Sequence, residues 1–311
     1  MTSDASNDGS GGRVLVVGEA LIDIVRYADG TSTEYVGGSP ANLAKGLGRL
    51  EIETTLLTSF GDDARGRAIE EVLRASGVRV VQAGPAGVDT STAMATLDEN
   101  HSATYIFDIH WDLADADLPP IDHIHVGSIG VAREPGAGAV ARLVSDRRPA
   151  VTVSYDVNAR PSLMQPRADA VARIDAMIAQ SDVVKMSDED LEWLRPGDTF
   201  EDAMARILSD GPGIVVVTEG AKGAVAYTAE GSVRIEGRRV DVVDTIGAGD
   251  AFMSGFVHAL AVRGLLGGDA LRAISLDVLR DCLNHANLSA ALTVAAAGAE
   301  PPTLAELSAA R

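Results

Sequence analysis

Short runs of β-branched residues alternate along the chain with amphipathic segments, and this alternation constrains the fold more than any other feature. The runs cover residues 14–17, 54–57, 121–126, 151–155, 183–185 and 214–218. They are too short for helices and are typical of buried strands. Between two of them, residues 64–76 place Ile69, Val72 and Leu73 on one helical face, and Gly77 stands where that helix should end. The pattern predicts an α/β fold in which helices cover both sides of a largely parallel sheet.

Residues 24–36 and 92–107 depart from this alternation, because both have the pattern of extended segments with no helix between their strands. They could pair together as a small flap, or they could be edge strands of the main sheet, and the pattern leaves both arrangements open. No internal repeat and no long polar linker divides the chain. We therefore expect one domain over residues 13–302, preceded by a disordered polar tail at residues 1–12 and followed by a C-terminal tail at residues 303–311.

Composition excludes several classes of function. The chain has 311 residues, of which 46% are hydrophobic, and a net charge of −19. Such an acidic protein lacks the clusters of Lys and Arg that nucleic acids and anionic membranes require. The first dozen residues contain no apolar core of a signal peptide, and no apolar run approaches the roughly 20 residues needed to cross a bilayer. The single cysteine, Cys282, rules out an intrachain disulfide and favours a reducing, cytoplasmic setting.

Residues 244–255, Asp-Thr-Ile-Gly-Ala-Gly-Asp-Ala-Phe-Met-Ser-Gly, are the most informative segment for function. They follow a strand-like run at residues 240–243 and lead into a helical pattern. Because Gly247 and Gly249 have no Cβ, backbone N–H groups can converge there on an anion at the positive end of the helix dipole. The segment is neither a Walker P-loop, which would end in Gly-Lys-Ser/Thr, nor a Gly-x-Gly-x-x-Gly turn. It predicts a phosphate site of another kind.

Asp250 in the first helical turn has two interpretations. Acidic residues are common there because they stabilise the helix dipole by about 0.3–1 kcal/mol. A carboxylate beside an anion site could instead accept the proton of a neighbouring hydroxyl as a general base, with a rate gain of about 10²–10⁴. Residues 244–255 alone do not decide between them.

A second motif, Gly-Gly-Ser-Pro-Ala-Asn-Leu-Ala at residues 37–44, changes this balance. The two motifs resemble the N-terminal and C-terminal signatures of the ribokinase-like sugar kinases, the PfkB family, and the resemblance extends from Arg13 to Pro302. It implies a three-layer α/β/α domain with a mainly parallel central sheet and a small β-sheet lid. It also implies an ATP-dependent carbohydrate kinase in which Asp250 is the catalytic base and Gly247, Ala248 and Gly249 form the anion hole.

The resemblance also implies which residues contact the sugar. They are Asp23, at the end of Gly-Glu-Ala-Leu-Ile-Asp, together with Gly37, Gly38 and Asn42. Without the resemblance, the two glycines are a turn and Asn42 is an ordinary helix-capping residue.

Residues 155–161, Tyr-Asp-Val-Asn-Ala-Arg-Pro, resemble the Asp-Pro-Asn-x-Arg run of fructokinase-like members, with Val157 in place of proline. Arg160 of this run is expected to hold a phosphoryl oxygen or the sugar with its planar guanidinium. The alternative is a solvated loop arginine.

Three further features resemble the family's nucleotide and cation sites. Ser187 and Asp190 stand where the family has Asn-x-x-Glu, which organises water around Mg²⁺; Asp190 is one methylene shorter than Glu, and Glu189 is the second candidate. The same Ser187 and Asp190 also fit a helix cap. The nucleotide-binding residues implied are Thr218, Gly220, Lys222 and Gly223, with Asn287 on the purine side. A K⁺ site is implied by Asp244 and by the carbonyls of Ile246, Thr293, Ala296 and Gly298.

The resemblance favours fructose as the substrate, with 2-keto-3-deoxygluconate and ribose as alternatives. A keto-acid substrate would use Arg133 or Arg160 to hold its carboxylate. A nucleoside kinase is a third possibility, and a non-catalytic sugar- or nucleotide-binding regulator is an alternative of a different class. The expected partners are the sugar and ATP. The apolar residues of the lid could form a homodimer interface or could cover the site within one chain, and the sequence leaves both arrangements open.

Overall fold

The computed structural model of the protein describes residues 12–27, 29–97 and 103–311. The tail predicted at residues 1–12 lies outside those ranges except for Gly12, as do Ala28 and residues 98–102 of the predicted flap. Within the described ranges, no helix combines the length and the apolar character needed to cross a membrane.

The described residues form thirteen strands and ten α-helices. The strands are β1 (Val14–Val17), β2 (Leu21–Arg26), β3 (Ser32–Gly37), β4 (Thr54–Thr58), β5 (Val78–Gln82), β6 (Thr92–Leu97), β7 (Ala103–Asp108), β8 (His123–Gly127), β9 (Thr152–Asp156), β10 (Val183–Ser187), β11 (Ile214–Thr218), β12 (Gly223–Thr228) and β13 (Gly231–Glu236). The helices are α1 (Ser39–Arg49), α2 (Ala64–Ala75), α3 (Ile129–Ala132), α4 (Gly136–Arg147), α5 (Arg167–Ile178), α6 (Asp188–Leu194), α7 (Phe200–Asp210), α8 (Ala248–Ala261), α9 (Leu276–Val294) and α10 (Leu304–Ala309).

The main sheet has nine strands in the order β13-β12-β11-β10-β9-β8-β1-β4-β5. The seven strands from β11 to β5 run parallel, and β12 and β13 continue the sheet antiparallel. Each parallel pair is joined through helices, which confirms the fold predicted from the alternation of strands and helices.

Hydrophobic cores lie on both faces of this sheet, because alternate side chains of one strand point to opposite sides. In β1, Val14 and Val16 pack into the core beneath α1, α8 and α9, whereas Leu15 and Val17 pack into the core beneath the helices from α3 to α7. All four side chains are buried. The continuous apolar run of β1 is therefore explained by burial on both faces.

The second sheet is small and has the order β3-β2-β6-β7. Strands β2 and β6 are parallel, and the other two pairs are antiparallel. The segments predicted as a flap therefore pair with each other, and their placement as edge strands of the main sheet is wrong. Strand β2 begins at Leu21, earlier than expected, so that Asp23 belongs to this small sheet.

Two predicted segments differ from the structure. The strand-like run at residues 240–243 is not a strand; Val242 and Val243 are exposed, and the Val243 N–H donates to the carbonyl of Val294 at the end of α9 instead of to a neighbouring strand. Residues 303–311 are not a tail outside the domain, because they include α10, whose Leu307 is buried against Leu50 and Leu288.

The parallel strands end at one edge of the main sheet, where ligands commonly bind in open α/β sheets. The loops after β1, β9, β10 and β11 all emerge at this edge, as the parallel registers require. The N-terminus of α8 also lies here, since Gly249 faces the side chain of Lys185 on β10. These loops and that helix end form the site described next.

Candidate active site

Helix α8 begins at Ala248, and its N-terminus has the form predicted for an anion site. Gly247 is the N-cap with φ of 74°, in the left-handed region that favours glycine, and a Cβ there would lie 2.8 Å from the Ala299 Cβ. The Ala248 N–H donates to the Thr245 carbonyl at 3.3 Å. Among the described residues, no hydrogen-bond acceptor is found for the N–H groups of Gly247, Gly249 and Asp250. These three amides are free to bind an anion.

Asp250 is buried in the first turn of α8, and residues of the N-terminal motif hold its carboxylate. Ser39 Oγ donates to Asp250 Oδ1 at 2.6 Å, and Asn42 Nδ2 donates to Asp250 Oδ2 at 2.9 Å. Helix α1 has no side-chain cap, so the interpretation of Asn42 as a capping residue is wrong. The two motifs, distant in the chain, therefore meet at one carboxylate. Ser39 belongs to the motif, but its contact with Asp250 was not predicted.

Asp23 lies on β2 in the small sheet, close to the same carboxylate. Its Oδ2 is so close to Gly37 that a Cβ at that position would lie 1.9 Å away. Burial raises the pKa of Asp23 to about 6; the charge of Arg160 acts in the opposite direction, and the charge of Asp250 adds to the increase. Asp23, Arg160 and Asp250 are thus within electrostatic reach of one another. The structure brings together these three residues of the predicted sugar and phosphoryl site.

Glu19 is a buried acid in this region that the sequence did not single out. It follows β1, and its Oε2 accepts a hydrogen bond from the Gly130 N–H at 3.2 Å. Burial raises the pKa of Glu19 to about 7, although hydrogen bonds, including one with Ser128, and the charge of Arg160 lower it. Glu19 thereby connects the end of β1 to the segment after β8. A Cβ on Gly38 would lie only 2.6 Å from the backbone carbonyl oxygen of Glu19, and this close approach explains the glycine at position 38.

Arg160 lies in the loop after β9 and is exposed. Its Nη1 donates to the carbonyl of Ala159 at 2.9 Å, and its charge acts on Asp23 and Glu19. A cation at this position suits an acidic protein that is expected to bind phosphate.

Ser187 and Asp190 form a capping box at the start of α6, as the alternative interpretation predicted. Ser187 Oγ accepts from the Asp190 N–H at 3.0 Å, and Asp190 Oδ2 accepts from the Ser187 N–H at 2.9 Å. Asp190 Oδ1 also accepts from the Ala159 N–H at 2.7 Å, which ties the Arg160 loop to α6. Asp190 is buried, whereas Glu189 is exposed. Each Asp190 oxygen keeps a further lone pair for water.

The predicted nucleotide strip lies beside this capping box, because Thr218 at the end of β11 is paired in register with Ser187. Lys222 is exposed in the turn that leads into β12. Asn287 on α9 donates its Nδ2 to the carbonyl of Glu236 at 2.8 Å, so its amide group holds the chain that leaves β13. These residues border one face of the site, and Asn287 already has a backbone partner.

Asp244 joins the two loops predicted to hold K⁺. Its Oδ1 accepts from the Ile246 N–H at 3.0 Å and its Oδ2 from the Gly298 N–H at 2.9 Å. The Ala296 N–H donates to the Thr293 carbonyl at 3.0 Å within the second loop. Throughout the part of the chain that the structure describes, no lysine or arginine pairs with Asp244. Its charge is therefore available to a cation.

A buried ion pair completes the site, and no sequence pattern predicted this pair. Lys185 Nζ lies 2.9 Å from Asp156 Oδ2 and 3.2 Å from Asp156 Oδ1, and both side chains are almost fully buried. The register of β9 and β10 places the two residues side by side. Both are visible in the sequence as charged residues within apolar strands, but only the register shows that they pair.

Comparison with known proteins extends these observations to nearly the whole chain. Residues 12–306 match a family described as pfkB family carbohydrate kinase. The chain is 34% identical over 284 residues to a fructokinase of Rhizobium leguminosarum bv. trifolii, and the match covers 86% of each protein.

Two solved structures are also similar to this chain. A double-mutant fructokinase from Vibrio cholerae O395, bound to fructose, ADP and a potassium ion, is 27% identical with a TM-score of 0.82 and covers 96% of this chain and 98% of its own. An aminoimidazole riboside kinase from Salmonella enterica, bound to aminoimidazole riboside and an ATP analogue, is 27% identical with a TM-score of 0.81 and covers 96% and 99%. The fold and the extent of the chain thus match ATP-dependent kinases.

Proposed function

Because the chain belongs to the pfkB family of carbohydrate kinases, we propose that it transfers the γ-phosphoryl group of ATP to a hydroxyl group of fructose. One observation carries this proposal above the others. The carboxylate of Asp250 lies beside free backbone amides at the N-terminus of α8 and is held there by Ser39 and Asn42. A proton acceptor and an anion site therefore lie next to each other, as phosphoryl transfer to an alcohol requires.

Asp250 is the general base in the proposed reaction. Its carboxylate accepts the proton of the attacking sugar hydroxyl while the new bond forms between that oxygen and the γ-phosphorus and the bond to ADP breaks. Ser39 and Asn42 each donate to one carboxylate oxygen, and each oxygen keeps a lone pair for the proton. The two hydrogen bonds fix the direction in which the base points.

The amides of Gly247, Gly249 and Asp250 stabilise the charge that develops on the transferred group, and Ala248 adds its amide if its contact with Thr245 opens. Magnesium would neutralise charge on the ATP phosphates when bound. Asp190 fits this role through water rather than directly, because both its oxygens already accept backbone N–H groups and its charge acts on Asp156 and Lys185. Thr218, Gly220, Lys222, Gly223 and Asn287 border the nucleotide.

Potassium fits the two loops joined by Asp244. The carboxylate has no basic partner in the described ranges, and the surrounding Ile246, Thr293, Ala296 and Gly298 offer backbone carbonyls. A cation there would reinforce the positive potential at the start of α8 without touching the substrate.

Fructose is proposed as the sugar because relatives that match 86% and 87% of the chain are fructokinases and a similar structure holds fructose with ADP. Asp23, Gly37, Gly38, Asn42 and Arg160 surround the proposed sugar position. The small sheet that carries Asp23 is proposed to act as a lid that excludes water.

The test is release of ADP and formation of sugar phosphate with fructose, ribose, 2-keto-3-deoxygluconate, adenosine and aminoimidazole riboside, with and without K⁺. We expect fructose to give the highest kcat/KM and K⁺ to raise the rate. A higher kcat/KM with another substrate would overturn fructose, and failure of every substrate would leave a binding protein.

The lid is also the proposed site of homodimerisation. Tyr35 and Ile106 on the small sheet are exposed apolar side chains, and an exposed sheet with such residues can associate with a second copy. Gel filtration of the wild-type protein and of an Ile106→Asp variant tests this, and we expect the variant to elute as a monomer. We place the reaction in the cytoplasm, since it consumes ATP and Cys282 is a buried free thiol.

A further inference from the structure

The ion pair between Lys185 and Asp156 has no role in the reaction described above, although it lies inside the site. Asp156 is the last residue of β9, and Lys185 is paired with it on the neighbouring β10, two residues before that strand ends. Both side chains are almost fully buried. Burying two charges costs several kcal/mol per ion before their attraction is counted, and apolar residues often replace such pairs without loss of stability. A contribution to the stability of the fold is therefore a weak explanation for the presence of this buried ion pair.

The position of the ammonium group gives a more specific reason. A Cβ on Gly249 would lie 3.0 Å from Lys185 Nζ, and among the described residues no other atom outside the chain neighbours and the nearby α8 backbone would lie within 4 Å of it. Gly249 does not have a positive φ, so its backbone conformation does not require glycine. The missing side chain at Gly249 instead leaves room for the ammonium group against the first turn of α8. Lys185 thus lies beside the residue whose N–H belongs to the anion site.

The charges around Lys185 keep it protonated. Burial disfavours its charged form, but Asp156, Asp190 and Asp250 together outweigh burial and raise the pKa of Lys185. An ammonium group has three N–H donors, and the described contacts assign Nζ only to the two oxygens of Asp156. A further donor is therefore available for an anion. In a chain with a net charge of −19, such a buried cation provides local attraction for an anionic phosphate group.

We propose that Lys185 is a further catalytic residue, whose ammonium group binds the phosphoryl group during its transfer while Asp156 holds that ammonium group in place. The inference rests on the proposed kinase function. Lys185 keeps its protons throughout: the sugar oxygen forms the new bond to phosphorus, the bond to ADP breaks, and the sugar proton goes to Asp250. The ammonium group contributes a hydrogen bond and a positive charge where negative charge develops.

A pair of variants separates this role from a structural one. Lys185→Met removes the cation but leaves Asp156 as an unpaired buried acid, so its effects are mixed. The double variant Lys185→Met/Asp156→Asn replaces the pair by neutral side chains of similar size. We expect the double variant to lose kcat by about 10²–10³-fold, the usual effect of removing one donor from such a site, with the KM for fructose changed less than about threefold.

A purely structural ion pair predicts the opposite result for the double variant, because neutralising both partners removes the buried charges together. Recovery of kcat to within about threefold of wild type in Lys185→Met/Asp156→Asn would therefore overturn the proposal. The matched control is Arg195→Met/Asp175→Asn, which neutralises an ion pair between the buried Arg195, directly after α6, and the partly exposed Asp175. We expect this control to change the melting temperature without changing kcat more than about twofold.

Nucleotide binding tests the role of Lys185 separately from the phosphorylation of a sugar. The β,γ-methylene analogue of ATP and ADP are titrated calorimetrically against wild type and the double variant. We expect the double variant to lose at least about tenfold more affinity for the analogue than for ADP, because only the analogue carries the γ-phosphoryl group. Equal losses would overturn the role of Lys185. A wild type that phosphorylates no sugar but shows this difference would refute the kinase function alone.

Discussion

At the scale of single residues, the site depends on carboxylates in different environments. Asp250 accepts hydrogen bonds from Ser39 and Asn42, Asp244 accepts from backbone amides, and Asp156 is paired with Lys185. Burial raises the pKa of Glu19 to about 7, and it also raises the pKa of Asp23 and of Asp156 to about 6. The sequence could identify Asp250 from its glycine-rich surroundings. It could not identify Glu19, since burial of that side chain depends on segments that follow β1 and β8.

Glu19 leads to a prediction for the dependence of stability on pH. Its pKa in the folded protein, about 7, is above the unfolded value of 4.5, so the folded state binds more protons between those pH values. Ionisation of Glu19 therefore destabilises the protein as the pH rises through this window. The free energy of unfolding of Glu19→Gln minus that of wild type should increase by about 2–3 kcal/mol from pH 5 to pH 8.

Urea unfolding of both proteins at several pH values measures this difference, and Glu53→Gln is the control because Glu53 is exposed. A difference that does not change with pH would show that Glu19 is not the buried acid described.

At the scale of secondary structure, two helix N-termini position the chemistry, and each gives a prediction. Gly247 caps α8 with a positive φ and packs against Ala299. An alanine there would be strained by about 1–2 kcal/mol and would press on the loop at Ala299. We expect Gly247→Ala to lower kcat by about 10²-fold by displacing the amides of the anion site.

Steady-state kinetics and thermal unfolding check the Gly247 prediction. Gly264→Ala is the control, because Gly264 also has a positive φ but has open space around its Cβ position and follows the other end of α8. Equal losses of kcat in the two variants would mean that the geometry at Gly247 has no special role.

The start of α6 gives the second prediction. Asp190 closes the capping box and holds the Ala159 N–H, so Asp190→Ala should destabilise the fold by roughly 1–3 kcal/mol. It should also raise the Mg²⁺ concentration for half-maximal activity by about 10–100-fold, as expected when a residue acts on a metal through water. Glu189→Ala, at the exposed neighbouring position, should change neither quantity. If Glu189→Ala alone raised the Mg²⁺ concentration for half-maximal activity, Glu189, and not Asp190, would be the residue that acts on the metal.

The elements also show where sequence patterns succeed and where they fail. Strands buried on both faces, such as β1 and β11, have continuous apolar runs, and the pattern predicted their positions because both cores require apolar side chains there. The run at residues 240–243 has a similar composition, but no strand in the described ranges pairs with it, so it stays irregular. The pairing of Asp156 with Lys185 depends on the register between β9 and β10, which no local pattern encodes.

At the scale of the whole molecule, the fold explains how distant motifs act together. The parallel strands bring their C-terminal ends to one edge, and α1 and α8 pack side by side there, so that Ser39 and Asn42 meet Asp250. The small sheet adds Asp23 beside them. The family signatures predicted this assembly because they mark its two halves. The ion pair at Lys185 and the buried Glu19 complete it through contacts that only the three-dimensional structure provides.

The central claim is that Asp250 removes a proton from a sugar hydroxyl beside amides that stabilise the transferred phosphoryl group. The most direct measurement is kcat for fructose phosphorylation by Asp250→Asn, which keeps the size of the side chain and one accepting oxygen but replaces the other oxygen by an NH2 group that cannot accept a hydrogen bond. We expect a loss of about 10²–10⁴-fold in kcat, with nucleotide affinity and melting temperature close to those of the wild type. An Asp250→Asn protein that phosphorylates fructose at nearly the wild-type rate would contradict it.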